Sequence, residues 1–463
     1  MDLLNFKPGE RLLKKTVSRC MTCHAEVPAE VIQVGPTDGS GNVIMRRTCP
    51  AHGTKDYVIS SDSRFYYLAQ GKPENSCGEG CGCGTARSAS DKPIFDGTLG
   101  KNAVAPVGTL GETEKLATCL ALIEIVDSCN LACPTCFASS PHGIGTNTKF
   151  YSFENITGRI SDVISRKGPI EIIQFSGGEP TIHPEFFKLV EWVILNPDIE
   201  VLLINTNGVR LARDAGFIVE MQRVMKIPEA HKIQLYLQFD GPQLDGQKEL
   251  RGADLRVIRE TAIKNCEAMD LPITLAMTVN RQNLPYLWDS VQYALPFENI
   301  RGISFQPMFL SGRNPLAEST EHPINTADII LGLNGQSKEN ISLRDFTSLP
   351  CGDPNCACIG WGFRLDGNYY SPTAFGLDIA GMMKSLPDKI NYNEADLAKC
   401  GCDNTVLGEM MRRFEKPIAR TFRLFIKPFM DARSWDKDRT DRCCTHVIAP
   451  DGSLQSFCQY YYG

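Results

Sequence analysis

Long apolar runs are missing from this chain. None approaches the ~18 residues that a membrane-spanning helix needs. The first fifteen residues, Met1–Lys15, hold no apolar stretch ahead of a small-residue cleavage site, so export is not expected. An excess of positive charge is missing too: 48 Lys and Arg stand against 54 Asp and Glu, a net charge of −6, which argues against a general nucleic-acid binder. There is no solenoid-like repeat, no low-complexity tract and no Asp-x-His-x-x-Gly segment of the kind that cradles cobalamin. With 42% hydrophobic and 22% charged residues the composition is that of an ordinary globular protein, and 463 residues suffice for two or three domains. The expected location is the cytoplasm.

Cysteine is abundant. Nineteen cysteines is an odd number, and they fall in tight clusters instead of evenly spaced pairs. Without an export signal, a reducing compartment disfavours disulfides, and clustered thiols there more often bind metal. The alternative is a set of small buried hydrophobes. Four stretches follow from their placement. Residues 1–70 hold short alternating segments around Cys20, Cys23 and Cys49, as a small β-rich metal module would. Residues 71–118 are rich in Gly, Ser and Thr and read as a cysteine-containing linker. Residues 119–310 alternate strand and helix patterns. Residues 311–463 lose that alternation and regain cysteines.

The middle stretch sets the fold class. Strands are expected at Leu120–Val126, Glu171–Ser176, Val201–Asn205, Ile233–Phe239, Ile273–Val279 and Gly302–Met308, with amphipathic helices such as Pro184–Leu195 and Leu255–Met269 between them. Six such units fit an α/β protein with a partial parallel (β/α)6 barrel, a small N-terminal β-rich metal module and a C-terminal domain with its own cysteines. In parallel barrels the functional groups sit at the strand C-termini, so motifs should fall there.

They do. Directly after the first strand comes Asp127-Ser-Cys129-Asn-Leu-Ala-Cys133-Pro-Thr-Cys136-Phe137. Three thiolates on one loop can ligate three irons of a cubane, where an electron carrier normally supplies four ligands. The fourth iron is then open to an amine and a carboxylate. A zinc loop or structural cysteines are the competing readings. The second strand ends in Gly177-Gly178-Glu179-Pro180, where adjacent glycines expose backbone carbonyls. Asn205 and Asn207 follow the third strand, and Gln238, Asp240, Thr278 and Gln306 lie near the ends of later ones; all would point to one mouth. This region resembles the radical S-adenosylmethionine (SAM) superfamily. The resemblance implies a [4Fe–4S] cluster on Cys129, Cys133 and Cys136, SAM against the Gly177–Pro180 loop, and an external electron donor such as ferredoxin or flavodoxin.

Further metal sites are expected on both sides of the barrel. Cys20, Cys23 and Cys49, with His52 or a remote cysteine as the fourth ligand, resemble the half-sites of a zinc ribbon or rubredoxin and suit mononuclear Zn or Fe. Cys77, Cys81, Cys83 and Cys119 could hold another cluster. Cys351, Cys356 and Cys358 with Cys443, Cys444 and Cys458 suggest one auxiliary [4Fe–4S] cluster, with one of the two consecutive cysteines spare. Cys266 reads as core, and Cys400 and Cys402 have no evident partners.

The layout resembles one subgroup of the superfamily along nearly the whole chain: Cys20–Gly53, Thr118-Cys119-Leu120, and Cys443-Cys444-Thr-His446 through Pro450-Asp-Gly452 to Phe457-Cys458. That subgroup includes archaeal tetraether lipid synthases, which join lipid chains by C–C bonds, and dimethyltransferases acting on a reduced hydroxymethylpterin. The middle cysteines depart from its pattern, running C-x3-C-x-C ahead of a long insert (84–117). The resemblance implies a 5′-deoxyadenosyl radical acting on unactivated carbon. The leading expectation is C–C bond formation between lipid alkyl chains. The alternatives are C-methylation of a pterin or other small molecule, and radical peptide maturation, which the cysteine spacing of 351–458 does not favour. An iron–sulfur electron carrier leaves the barrel unexplained. The segment Arg412–Met430, basic and aromatic, suggests peripheral contact at the inner membrane face if its apolar side chains are free, or a core element if they are not.

Overall fold

The computed structural model describes residues 7–36, 40–69, 116, 118–315, 323–349, 351–381 and 420–462. Cys77, Cys81, Cys83, Cys400 and Cys402 lie outside them, as do residues 412–419.

The N-terminal module is a four-stranded antiparallel sheet of β1 (Glu10–Arg19), β2 (Glu26–Val34), β3 (Asn42–Cys49) and β4 (Gly53–Ser60), in that order. Period-2 alternation puts Ala29, Val31, Val43 and Met45 on one buried face against Leu13, Ile59 and Tyr66. The β1–β2 and β3–β4 turns lie side by side at one end, and they carry Cys20, Cys23, Cys49 and His52.

The second sheet is built on six parallel strands: β5 (Leu120–Val126), β6 (Ile170–Gly177), β7 (Ile199–Thr206), β8 (Ile233–Gln238), β9 (Ile273–Val279) and β10 (Ile300–Pro307). β5 and β6 run as near-continuous buried stretches, whereas β8 and β9 alternate buried apolar residues with half-buried ones that face the interior. The helix Phe153–Lys167 shows the local logic. Ser152 caps it by accepting from Asn155 N at 3.2 Å, Ile156, Ile160 and Val163 turn inward, and Gly168 (φ 87°) ends it.

The C-terminal stretch joins this same sheet. β11 (Phe346–Ser348), β12 (Cys358–Leu365) and β13 (Asn368–Tyr370) form an antiparallel edge. β14 (Arg420–Ile426) then lies antiparallel to β12 and parallel to β10, while β15 (Thr445–Ile448) pairs parallel with β5 and antiparallel with β16 (Leu454–Ser456). Two strands from the chain's end therefore flank the six expected ones, giving a parallel run β15-β5-β6-β7-β8-β9-β10-β14. At the open seam Lys427 Nζ, just past β14, comes within 3.4 Å of Thr445 Oγ1 at the start of β15.

β14 settles what the basic, aromatic segment is between 420 and 430. Phe422, Leu424 and Ile426 are buried in the main core, and Arg423, Phe425 and Lys427 alternate with them on the interior face. These apolar side chains are core, not a surface that could lie on lipid, so the membrane-contact expectation loses its basis here. No described helix is long and apolar enough to cross a membrane.

The N-terminal module is tied to the barrel through residues 433–438. Lys14 Nζ meets Asp436 at 2.7 Å and Asp438 at 3.0 Å, Thr16 Oγ1 donates to Asp436 at 2.7 Å, and Ser18 and Arg47 donate to the carbonyls of Trp435 and Arg433. Arg19, beside Cys20, stacks 4.4 Å over the buried Trp435 ring.

Candidate active site

The loop after β5 is held by its backbone, which leaves its sulfurs free for ligands. Cys129 N donates to Pro141 O (2.9 Å), Cys136 N to Arg313 O (2.8 Å), and Arg313 Nε to Cys133 O (2.9 Å). β6 presses directly on this loop. A Cβ on Gly177 would lie 1.9 Å from Val126 O, and one on Gly178 2.0 Å from Ser128 O, so only glycine permits the approach. Their role is close packing as well as carbonyl exposure. Burial pushes the Cys129 thiol up to about 12 and raises that of Cys133. These thiols therefore lose their protons on binding a metal and not before. Three soft donors beside Asn207 Nδ2 (3.8 Å from Cys129 Sγ) fit a thiolate-bound iron cluster.

Glu179 lies on the cavity wall and is also tied into the protein. Its buried carboxylate accepts from Thr181 N (3.2 Å), Thr181 Oγ1 (2.6 Å), Thr206 Oγ1 (2.7 Å) and Asn207 N (2.7 Å). It is a clamp that fixes the β7 loop to the β6 loop, and Pro180 opens the short helical turn that follows. Asn207 is thereby aimed at Asn130 Oδ1 (2.6 Å), while Asn205 shares bonds with Gln174 (2.5 Å) and Ser176 (3.2 Å).

Asp240 is likewise engaged. Its carboxylate pairs with Arg251 at 2.6 and 2.8 Å and accepts from Thr278 N at 3.1 Å. It is Arg251, not Asp240, that lines the interior, with a hydrogen bond to Thr278 Oγ1 (3.0 Å) and its charge beside Cys133. Gln238 accepts from the buried Arg259, and Gln306 donates to Tyr236 Oη (2.9 Å).

Inside the barrel lies a cavity of about 310 Å³, within the range of sites that take one small molecule. Cys129, Cys133 and Cys136 stand at one part of its wall, Cys351, Cys356 and Cys444 at another. Inward alternation sets the lining. β5 and β7 offer Leu120, Leu122, Val201 and Leu203, whereas β8, β9 and β10 offer Gln234, Tyr236, Thr274, Ser304 and Gln306. Sequence reading missed Arg251, Tyr236, Arg423 and Lys427. The period-2 register of β8 could have located Tyr236; nothing local marks the others.

The remaining cysteines form separate groups. Among the described residues, two sets bring three or more ligand atoms within 4.8 Å: Cys20/Cys23/Cys49/His52 and Cys119/Cys351/Cys444. In the first, Cys23 and Cys49 sulfurs are 3.9 Å apart, and His52 Nδ1 lies 3.6 and 3.5 Å from Cys20 and Cys49. A tetrahedral ion with Zn–S of about 2.3 Å and Zn–N of about 2.05 Å spaces its ligands about 3.8 and about 3.6 Å apart. The set has the dimensions of one ion, and His52 stands as its fourth member. In the second, the sulfurs of Cys119 and Cys351 face each other across Cα atoms 7.5 Å apart, wider than relaxed disulfides span, and Cys444 completes a buried cysteine triad.

Cys443 belongs elsewhere: it is buried in the field of the half-buried Cys356 and the buried Cys458, and Arg439 Nη2 lies 3.7 Å from Cys356 Sγ. Consecutive residues of an extended stretch face opposite ways, and Cys444 lies with Cys119 and Cys351 while Cys443 lies in the field of Cys356 and Cys458. Cys119 faces Cys351 and Cys444. Cys358 stands apart beside Tyr67. His446, buried, holds the seam by bonding Thr118 Oγ1 and Cys443 O, both at 2.9 Å.

Comparison with known proteins agrees with this layout. Residues 123–294 match the model of the radical SAM superfamily, and residues 12–61 match the HMPTM N-terminal zinc ribbon domain. The 7,8-dihydro-6-hydroxymethylpterin dimethyltransferase of Methanocaldococcus jannaschii is 26% identical, over 96% of this chain and 93% of that protein. GTP 3′,8-cyclase of Pectobacterium atrosepticum is 36% identical over 20% of this chain and 28% of its own. Among solved structures, Streptococcus suis SuiB bound to S-adenosylmethionine matches 49% of this chain and 48% of its own at 15% identity, with a TM-score of 0.36. With its cysteine loop at the end of the first barrel strand and a zinc-ribbon module ahead of the barrel, the chain carries a radical SAM domain over residues 123–294 and is similar along nearly its whole length to the pterin dimethyltransferase.

Proposed function

We propose that this radical SAM enzyme methylates carbon on a small nitrogen heterocycle of the pterin class. When bound, a [4Fe–4S] cluster and two SAM molecules would supply the chemistry: with two electrons from the donor, one SAM yields methionine and the 5′-deoxyadenosyl radical that takes hydrogen from carbon, and the other gives up the methyl group and leaves as S-adenosylhomocysteine. The chain's own part is to hold and isolate. Cys129, Cys133 and Cys136 would carry the cluster. Gly177 and Gly178 open room at the loop, Glu179 fixes Asn207 beside it, and Arg251 sets positive charge next to Cys133.

One observation carries the substrate reading. One wall of the cavity, between the loop cysteines and the C-terminal ones, bears Gln234, Tyr236, Thr274, Ser304 and Gln306. Amide and hydroxyl groups in that density suit the lactam and ring-nitrogen edge of a heterocycle, while Leu120, Leu122 and Leu203 suit its flat face. Two alkyl chains would leave those polar groups without partners. The lipid-coupling reading also loses the local support it had, since β14 is interior. The relative's name points the same way.

The auxiliary thiol groups Cys119/Cys351/Cys444 and Cys356/Cys443/Cys458 would each hold an iron–sulfur cluster, and Cys20/Cys23/Cys49/His52 a single zinc or iron ion. The test of function is anaerobic turnover with SAM, a reductant and 7,8-dihydro-6-hydroxymethylpterin, read by mass spectrometry. A pterin product heavier by one or two methyl groups is expected. Turnover of a tetraether lipid precursor with the pterin unchanged would displace this reading.

A further inference from the structure

Three β14 side chains line the cavity: Arg423, Phe425 and Lys427. Lys427 has an evident occupation. Its ammonium lies 3.4 Å from Thr445 Oγ1 and 5.6 Å from the Phe429 ring, in the field of Cys356, Cys443, Cys444 and Cys458. Thiolates there would balance its charge. Arg423 has no such balance. Among the described residues its guanidinium makes no hydrogen bond or ion pair, and the charge acting on it is that of Arg301, of the same sign. Burial and that neighbour push it down to about 10.

Its position is fixed by the strand pairing. Arg423 sits opposite Gly302 of β10, which in turn faces Thr274 of β9 and Tyr236 of β8, on the half of the barrel away from the cysteine loop. A Cβ on Gly302 would lie 2.1 Å from Arg423 O, so the glycine is what lets this part of β14 close on the barrel. This guanidinium is half-buried and lines the cavity with no protein partner among the described residues, so an anion entering the cavity would supply one. The guanidinium fork matches a carboxylate or a phosphate oxygen pair.

We infer that Arg423 is an anion-binding end of the substrate site, where a phosphate or carboxylate carried by the substrate seats at the barrel floor, beside Thr274 and Gln234. This rests on the reading of the barrel cavity as the substrate site. It goes further by giving a place to an acidic group on the molecule that enters; an uncharged pterin would enter without engaging it.

The test uses the full chain reconstituted with iron and sulfide. Inorganic phosphate and acetate serve as probes, each followed by isothermal titration. The wild type should bind one of them saturably. Arg423→Gln should weaken that binding by about tenfold or more, the scale of a charge-assisted pair, and Arg423→Lys should keep part of it. Preference for phosphate would point to a phosphate ester, preference for acetate to a carboxylate. Equal binding by wild type and Arg423→Gln, or no saturable binding by the wild type, overturns the inference. Should Arg423→Gln lose its iron, the comparison falls to Arg423→Lys, whose affinity equal to or above the wild type's would have the same force for a bidentate site. If the anion binds through Arg423 but the pterin gains no methyl group, the subsite stands and the pterin reading fails. If a phosphate ester of hydroxymethylpterin is methylated with the same KM by wild type and Arg423→Gln, the subsite fails and the pterin reading stands.

Discussion

At the residue scale the chemistry depends on a few side chains whose surroundings decide what they can do. Replacing Cys129, Cys133 or Cys136 by Ala should abolish 5′-deoxyadenosine formation and remove about four irons per chain, leaving the rest of the iron in place. Chromatography of the nucleoside products and iron analysis check this. Glu179→Ala should act differently, because Glu179 makes four hydrogen bonds within the protein and fixes the loop that carries Asn207. The expected result is a rise in KM for SAM of about tenfold with iron content unchanged, since the clamp and not a ligand is lost. The Cys129–Cys136 spacing and the Gly177–Pro180 turn were legible because three thiols in eight residues and two adjacent glycines have few other uses. Arg251 was not legible. It lies eleven residues past Asp240 in a helical turn, and only folding brings it to Cys133.

At the scale of elements, the six barrel strands were legible almost to their ends, because buried runs such as β5 and β6 and alternating ones such as β8 and β9 recur between helix patterns. β14 and β15 were not. Each joins a barrel whose six expected strands lie more than a hundred residues earlier, outside the regular strand–helix alternation that marked those six. The same segment that looked suited to a membrane surface alternates Phe422, Leu424 and Ile426 with Arg423, Phe425 and Lys427 because one face is core and the other cavity. In the N-terminal module, the ligand spacing of a single ion predicts one metal per site. Cys20→Ala or Cys49→Ala should lower the metal content by one atom per chain, measured by elemental analysis, with iron–sulfur absorption retained. His52→Ala should weaken retention of that atom against a chelator, and His52→Cys should restore it.

At the scale of the molecule, the thiol groups are arranged around the barrel interior, and Cys443 and Cys444 mark the boundary between two of them. With three cubane clusters the reconstituted chain should hold about twelve irons, or about thirteen if the module carries iron instead of zinc. Cys443→Ala and Cys444→Ala should each cost about four, and the losses should add in the double variant. A non-additive loss would mean a single shared auxiliary cluster. The central claim is that the barrel cavity presents a small heterocycle to the SAM-derived radical. Isotope transfer tests it most directly: 7,8-dihydro-6-hydroxymethylpterin deuterated at its sp3 carbons is incubated anaerobically with SAM, reductant and the reconstituted enzyme, and the 5′-deoxyadenosine is weighed by mass spectrometry. The account predicts deuterium in that 5′-deoxyadenosine from the wild type and none from the Cys133→Ala variant. Unlabelled 5′-deoxyadenosine formed by the wild type at full rate, with the deuterated pterin recovered intact, would contradict it.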